Sequence, residues 1–472
     1  MSFSNSDIQI FYRDATELAR LIRTKELSPV EVVNAHLDRV EAVNPKVNAV
    51  VTLMRDDAIK AAKTAEAAVL NGAVLGPLHG VPFSIKDALD TEGVLTQRGS
   101  KLFAGNIPAK DATAVARFKG AGGIPLMKTN LPEFSAWTET DNLVTGRSNN
   151  PWNLDRTPGG SSGGESAAIA AGMSPIGIGS DVAISVRGPA AFTGIAALKA
   201  THGRIPYTGH YPAVISKWWH VGPMARTIRD VSLGYSILKG PDGVDGYAVH
   251  TRNADSGDVS RAGQPIRVGW VSDAAFGPVD PEITAAVKAA ATQLAKLGCD
   301  VEEVTLPFLG DPLATLMTTV YGEIVPYIKE LAAGRESELH DIGKGIVAFP
   351  DPSFRDYLAA EGRAEALRSA FAGFFQKYDV LLCPVNPMTA TPHGAQELVV
   401  NGETVSWMHV MRATSPFNVT GLPALSVPYG FSSESLPIGI QLVAKWLDEA
   451  TILRLGALLE RSGGLGDRRP PL

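Results

Sequence analysis

The sequence predicts an α/β protein, and three observations carry that reading. Short apolar runs of strand character, such as Ile124-Pro125-Leu126-Met127 and Val380-Leu381-Leu382-Cys383-Pro384, alternate with longer stretches whose apolar residues recur at helical spacing. Between residues 266 and 304 a strand, an amphipathic helix and a second strand follow one another, the pattern of a parallel unit. Hydrophobic residues make up 45% of the 472 positions and charged residues 19%, enough apolar mass for a large core.

The elements follow in order. Asp14 is placed to cap a first helix with Leu18, Leu21 and Ile22 on one face, and Ser28 a second, with Pro29 at its first position. Residues 47–53 read as a strand and 56–71 as an alanine-rich helix stopped by Gly72. The run 76–87 reads as a turn and a short buried strand that ends in Ser84-Ile85-Lys86-Asp87. A helix over 111–121 precedes a strand over 123–127, with Lys128-Thr129-Asn130 as a loop. A phosphate loop is excluded there, because Met127 stands where glycine must precede the lysine.

Next comes Gly159-Gly160-Ser161-Ser162-Gly163-Gly164, a small-residue helix over 166–171 closed by Gly172, and Ser180-Asp181-Val182-Ala183-Ile184-Ser185-Val186-Arg187. Trp218 and Trp219 lie in a loop, as a hydrophobic plug or as a pocket wall. Residues 222–226 end a strand and open a helix through Leu238. Residues 240–264 read as a polar surface connection. After the strand–helix–strand unit, residues 306–376 are mostly helical and carry no legible motif. A strand over 380–384, a last helix over 448–461 and a loose tail complete the chain.

A net charge of −6 points to no nucleic-acid or anionic-membrane partner. Two cysteines, Cys299 and Cys383, rule out a disulfide framework and a cysteine metal cluster. The N-terminal residues lack a basic stretch followed by an apolar one, and no run approaches a membrane span, so a cytoplasmic protein is expected.

One lysine and two serines suffice for a hydrolase without histidine. A buried lysine loses its proton more readily, because desolvation disfavours its charged form. Neutral lysine can take a proton from one serine, which takes one from a second. A lysine at the end of an apolar strand also has a plainer reading, a snorkelling side chain paired with Asp87 or Asp90. The two serine clusters favour the catalytic one.

The GGSSGG turn, the following helix, the GSD-x-x-x-S-[IV]-R-x-PA segment and the upstream S-I-K-D lysine closely resemble the amidase signature family. Leu131-Pro132-Glu133-Phe134, Asn150-Pro151-Trp152 and Gly222-Pro223-Met224-Ala225-Arg226 extend the resemblance, which runs from about residue 14 to about residue 461. It implies one α/β/α domain over 1–472, a large mixed β-sheet covered by helices on both faces. The signature core spans about 76–230, and a variable helical region over about 306–376 covers the cleft.

It also implies the catalytic residues: Ser185 as nucleophile, Ser161 as bridging serine after a cis peptide bond, and Lys86 as base. Backbone N–H groups of Val182, Ala183, Ile184 and Ser185 would hold the oxyanion. No metal and no cofactor is expected. The implied partner is a small-molecule amide or carbamate, with no nucleic acid and no membrane, and with a homodimer as an allowed assembly. The implied function is serine hydrolysis of linear C–N bonds in aryl or alkyl amides or urethanes, as in the aryl acylamidase and urethanase-like branch.

Two departures matter. Met127 replaces the glycine of the family's GKTN run, and Ala183-Ile184 replace the two glycines before the nucleophile. Glycine permits dihedrals that isoleucine resists, so either the loop suits L-residues or the oxyanion hole is reshaped.

Three rivals remain. Gly160-Ser161-Ser162-Gly163-Gly164 fits a nucleophile elbow at Ser162, with His393 or His409 as its histidine. The amidotransferase A subunit, which acts on misacylated tRNA, shares the signature. A non-catalytic binding relative would keep the fold alone.

Overall fold

Val380 and Leu382 face one way from their strand and Leu381 and Cys383 the other, each pair joining a separate apolar core. The same split recurs at Ile440 and Leu442 against Val443, so the sheet is buried on both faces. The computed structural model describes residues 10–214, 217–251, 264–271, 273–463, 465–466 and 468–472.

The strands are β1 Val50–Leu53, β2 Pro82–Lys86, β3 Ile124–Thr129, β4 Ile176–Asp181, β5 Ala196–Lys199, β6 His220–Ala225, β7 Arg267–Trp270, β8 Asp300–Glu303, β9 Val380–Pro384, β10 Glu397–Val400, β11 Glu403–Ser406, β12 Ala424–Phe431 and β13 Pro437–Ala444. Eleven form one sheet in the order β1-β3-β2-β4-β6-β5-β12-β13-β9-β7-β8, and β10 and β11 pair as a separate hairpin. The sheet is mixed. β2 runs parallel to β3 and β4, and β7 parallel to β8 and β9, whereas β4–β6 and β12–β13 are antiparallel. The expected parallel unit at 266–304 is therefore present.

Caps set the first helices where the sequence places them. The Asp14 side chain accepts from Glu17 N at 2.8 Å to start α1, Ala15–Arg23. Ser28 and Glu31 form a capping box around Pro29 at the start of α2, Pro29–Val47. That helix runs on to Val47 and stops at Asn48, which is left-handed with φ 49°, so β1 begins only at Val50, three residues later than expected. The strand β3 departs in the other direction. It continues through Lys128 and Thr129, expected as loop, because Lys128 Nζ finds Thr91 Oγ1 at 3.0 Å, Thr96 Oγ1 at 3.1 Å and the Leu89 carbonyl.

One core gathers β-strand residues with α1, with α3 Thr113–Gly120, α4 Ile228–Leu238, α5 Pro281–Lys296 and the last helix, Glu449–Gly463. The opposite core joins the sheet to Pro312–Ala332, Asp341–Ala348, Phe354–Lys377 and Ser415–Val419, so the helical region over 306–376 packs on that side. The tail, expected loose, is packed: Arg468 lies 3.7 Å from the Phe431 ring centroid, and Leu472 rests on the apolar cluster of Val33 and Leu37. Residues 252–263 of the expected surface connection over 240–264 lie outside the described residues. Among the described residues no helix is long and apolar enough to cross a membrane.

The middle of the sheet prepares the site. In β2, Phe83 and Ile85 enter the first core, which turns Ser84 and Lys86 to the other face. Across from Ser84, in register, stands Gly177 of β4. A β-carbon there would collide with the Glu165 carboxylate, so the missing side chain lets the helix Gly163–Ala170 settle on the sheet. The helix begins three residues earlier than expected, directly after the serine turn.

Candidate active site

Lys86 closes β2 and is fully buried. Its Nζ lies 2.6 Å from Ser161 Oγ, 3.0 Å from Ser180 Oγ and 3.4 Å from the Ser180 carbonyl. Burial pulls the ammonium down to about 7, while the carboxylates of Asp181 and Glu165 push weakly the other way. Neither carboxylate is hydrogen-bonded to it. Glu165 takes Thr129 Oγ1 at 2.6 Å and the Ser84 hydroxyl, and burial lifts it to about 7. Lys86 is thus an amine that is neutral in part at neutral pH, facing a serine hydroxyl.

Ser161 follows a cis Gly160–Ser161 bond. Only glycine fits before it: a β-carbon at 160 would stand 2.7 Å from Glu139 N and from the carbonyls of the Trp137–Thr138 turn. The next serine is committed elsewhere. Ser162 Oγ donates to the Ser180 carbonyl at 3.2 Å and accepts from Ser180 N at 3.3 Å. His393 and His409, which an elbow would require, bond instead to the carbonyls of Leu154 and Pro278.

Ser185 stands on the turn between β4 and the helix Arg187–Thr193, 4% exposed. A buried ion pair brackets that turn. Asp181 accepts from Val186 N and Arg187 Nε, each at 3.1 Å, and from Arg187 Nη2 at 3.0 Å. Burial raises the Asp181 carboxyl, but the Arg187 guanidinium and these hydrogen bonds outweigh it and hold it below the usual range. Arg187 also draws in the Ala183 carbonyl at 3.2 Å, and Ser162 N donates to the Ser185 carbonyl at 3.1 Å. With carbonyls turned into the protein, the N–H groups of Ala183, Ile184 and Ser185 have no acceptor among the described residues. Such donors can hold an oxyanion.

The Ala183-Ile184 departure has a geometric answer. No residue from 182 to 185 has a positive φ, so the turn asks nothing of glycine. The Ile184 side chain lies over Gly188, where a β-carbon would collide with it.

Val182, Ala183, Ile184 and Ser185 line an apolar cleft. Trp137, Trp219 and Trp407 contribute walls, and Leu316, Val320 and Ile324 of the helix Pro312–Ala332 the cover. Among the described residues no Asp, Glu, Lys, Arg or His side chain lines it. Trp137 and Trp407 lie against each other with ring centroids 3.8 Å apart and planes tilted by 35°. The adjacent tryptophans divide the two roles considered for them: Trp218 is fully buried beneath Lys217 and Arg368, and Trp219 lines the cleft.

Lys86 and Ser161 are therefore in hydrogen-bond contact, and Ser185 meets the serine turn through its carbonyl. Two residues that no motif singles out also reach the site: Ser180, inside the GSD segment, and His210, whose Nε2 lies 2.8 Å from Ser180 Oγ. Glu165, inside the serine-turn helix, is a third. Among the described residues no group of three or more His, Cys, Asp or Glu could hold a metal ion.

A family model described as Amidase matches residues 31–453. An acylamidase of Rhodococcus erythropolis is 33% identical over 480 residues, covering 98% of each chain. The A subunit of the glutamyl-tRNA(Gln) amidotransferase of Acidothermus cellulolyticus is 36% identical over 478 residues, covering 95% of this chain and 94% of its own. The solved structure of 6-aminohexanoate cyclic dimer hydrolase superposes with a TM-score of 0.85 at 31% identity, covering 98% and 99%.

Proposed function

Because this chain belongs to the amidase family, whose amide C–N bond cleavage it shares, we propose that it is a serine hydrolase of neutral aryl or alkyl amides and carbamates. Lys86 is its base, Ser161 its bridging serine and Ser185 its nucleophile. One observation carries the reading: a fully buried Lys86 Nζ lies 2.6 Å from Ser161 Oγ, on a serine turn whose Ser162 N donates to the carbonyl of the cleft-lining Ser185.

Neutral Lys86 takes the Ser161 proton as Ser161 takes that of Ser185, and Ser185 Oγ attacks the carbonyl carbon. The N–H groups of Val182, Ala183, Ile184 and Ser185 receive the oxyanion, where one lost donor typically costs about 100- to 1,000-fold in rate. The tetrahedral intermediate collapses, the C–N bond breaks, and Ser161 returns a proton to the departing amine. Water then attacks the acyl-enzyme by the same proton path and regenerates Ser185. A carbamate follows this course too, since it releases an amine from the same carbonyl carbon.

The charge-free cleft supports an apolar substrate held by shape. Beside Ser185 it weighs against the second reading, which the 36% identity to an amidotransferase component keeps in view, while Glu139, Asp141 and Arg147 line an adjoining pocket that shares Ala136, Trp137, Tyr321 and Ile346. Glutamine carries an ammonium and a carboxylate, and burying either without a partner is costly. We read the chain as one domain, since the sheet is continuous from β1 to β8.

Purified protein assayed against an anilide, a primary amide, a carbamate and an ester should favour the bulky apolar members. A fluorophosphonate should label Ser185 alone. Labelling at Ser162, or turnover confined to glutamine in the presence of partner subunits, would replace this reading.

A further inference from the structure

His210 stands outside the triad and reaches it through one hydroxyl. Backbone hydrogen bonds from Asp90 N to Gly209 O and from Tyr211 N to Ala88 O, at 2.9 Å each, zip its loop to the segment just after Lys86. The imidazole, 5% exposed, then meets Ser180 Oγ through Nε2 at 2.8 Å. Ser180 Oγ in turn lies 3.0 Å from Lys86 Nζ.

We propose that His210 and Ser180 act as positioning residues that direct the lone pair of Lys86 at Ser161, an inference that rests on Lys86 being the base. A neutral amine has two N–H donors and one lone pair. The Ser180 hydroxyl has one proton and two nitrogens within reach, Lys86 Nζ and His210 Nε2. Given to Lys86, that proton occupies the lone pair, and the Ser161 proton has no acceptor. Given to His210, it leaves a Ser180 lone pair facing Lys86. The amine then donates to Ser180 Oγ and to the Ser180 carbonyl, and its lone pair meets the Ser161 hydroxyl. An imidazole protonated at Nδ1, a proton the Pro212 backbone favours although Nδ1 makes no full hydrogen bond, accepts at Nε2 and supplies this second arrangement.

The surroundings keep the imidazole neutral. Burial holds His210 well below its usual range, and the nearby Lys86 and Arg98 add to that. The Trp219 ring covers it, with centroids 4.4 Å apart. The charged groups that face Lys86 are Glu165 from the helix behind it and Asp181 from β4. None of these changes in the variants below.

The test is a double-mutant cycle of His210→Leu and Ser180→Ala with the full pH profile of kcat and KM on an anilide. Lys86→Ala and His210→Gln serve as references. His210→Leu should lower the plateau of kcat about 10- to 100-fold with KM little changed, the scale of a misplaced catalytic group. Its acid limb should move to lower pH, because the released Ser180 proton now stabilises neutral Lys86. His210→Gln, whose amide oxygen can accept from Ser180, should recover most of the loss. In the Ser180→Ala background the His210→Leu loss should vanish.

A purely structural role gives other results. Water admitted by loosened packing would move the acid limb to higher pH, Gln would do no better than Leu, and the losses would add. Any of those overturns the relay. If Lys86→Ala keeps normal turnover, the base itself is misassigned. If Lys86→Ala is inactive while the cycle is additive, only the relay falls. Should His210→Leu lack a folded circular dichroism spectrum, His210→Asn, too short to reach Ser180, replaces it in the cycle.

Discussion

The side chain of Ile184 fills the space above Gly188, one helical turn on, so that a β-carbon at 188 would collide with its Cγ1 and Cδ1. The same side chain lines the cleft beside Ser185. Ile184, directly before the proposed nucleophile, is thus wedged between the helix Arg187–Thr193 and the cleft.

Replacing that wedge should change selectivity before chemistry. Ile184→Gly keeps the backbone N–H groups and opens room beside the reacting carbonyl. The ratio of kcat/KM for a bulky anilide over a small primary amide should change by about tenfold, as the gain or loss of one or two methylene contacts does. The small amide should be affected least. An unchanged ratio would mean that Ile184 does not meet substrate. Gly188→Ala, by contrast, should lower turnover of both substrates, since its methyl group displaces Ile184 and the turn with it.

The triad should answer to single substitutions. Ser185→Ala should abolish hydrolysis, and Ser161→Ala and Lys86→Ala should each cost at least about 100-fold, the scale of general acid–base catalysis. Circular dichroism on each variant separates lost chemistry from lost fold. Normal turnover by Ser185→Ala would remove the central assignment.

Activity should rise with pH through about 7. As the proposed base Lys86 would work as the neutral amine; burial draws its ammonium down to about 7, so the active fraction should grow as pH climbs past that value and level off above it. The acid limb should be absent from the residual activity of Lys86→Ala. A limb that persists there would belong to another group.

The Asp181–Arg187 pair should matter more to stability than to binding. Both side chains are fully buried, so Asp181→Ala strands a guanidinium and should cost about 3–5 kcal/mol in urea unfolding. A cost below about 1 kcal/mol would mean that water or a neighbour takes over the carboxylate's place.

Local chemistry makes much of this structure legible in the sequence. Asp14, Ser28 and Pro29 carry their own instructions for starting a helix, and β9 matches its apolar run from Val380 to Pro384. Lys86, Ser161 and Ser185 are marked by motif. What escaped depends on partners distant in sequence. Lys128 reads as a loop residue until Thr91 and Thr96 are seen to satisfy it, and Arg468 as part of a loose tail until Phe431 lies beneath it. No local signal marks His210, because its contact with Ser180 follows from pairing between two loops. The hairpin β10–β11 could have been found, since Asn401-Gly402 between valine-rich runs is a strong turn signal, and both residues have positive φ.

Apart from the Trp219 wall, the cleft is assembled from two separable groups of chain segments. The groups proposed to move the proton are Lys86 at the end of β2, Ser161 on the turn before the helix Gly163–Ala170 and Ser185 on the turn after β4. The cover comes from Pro312–Ala332, Asp341–Ala348 and the turn Trp407–Met411. Heredity can therefore act on the two apart. Insertions or exchanges in the cover retune which guest is admitted and leave the reactive groups in register, whereas the floor tolerates little, since Gly160, Gly177 and Gly188 already stand in contact with their neighbours. A lineage built this way can acquire new substrates by borrowing roofs for an unchanged hearth.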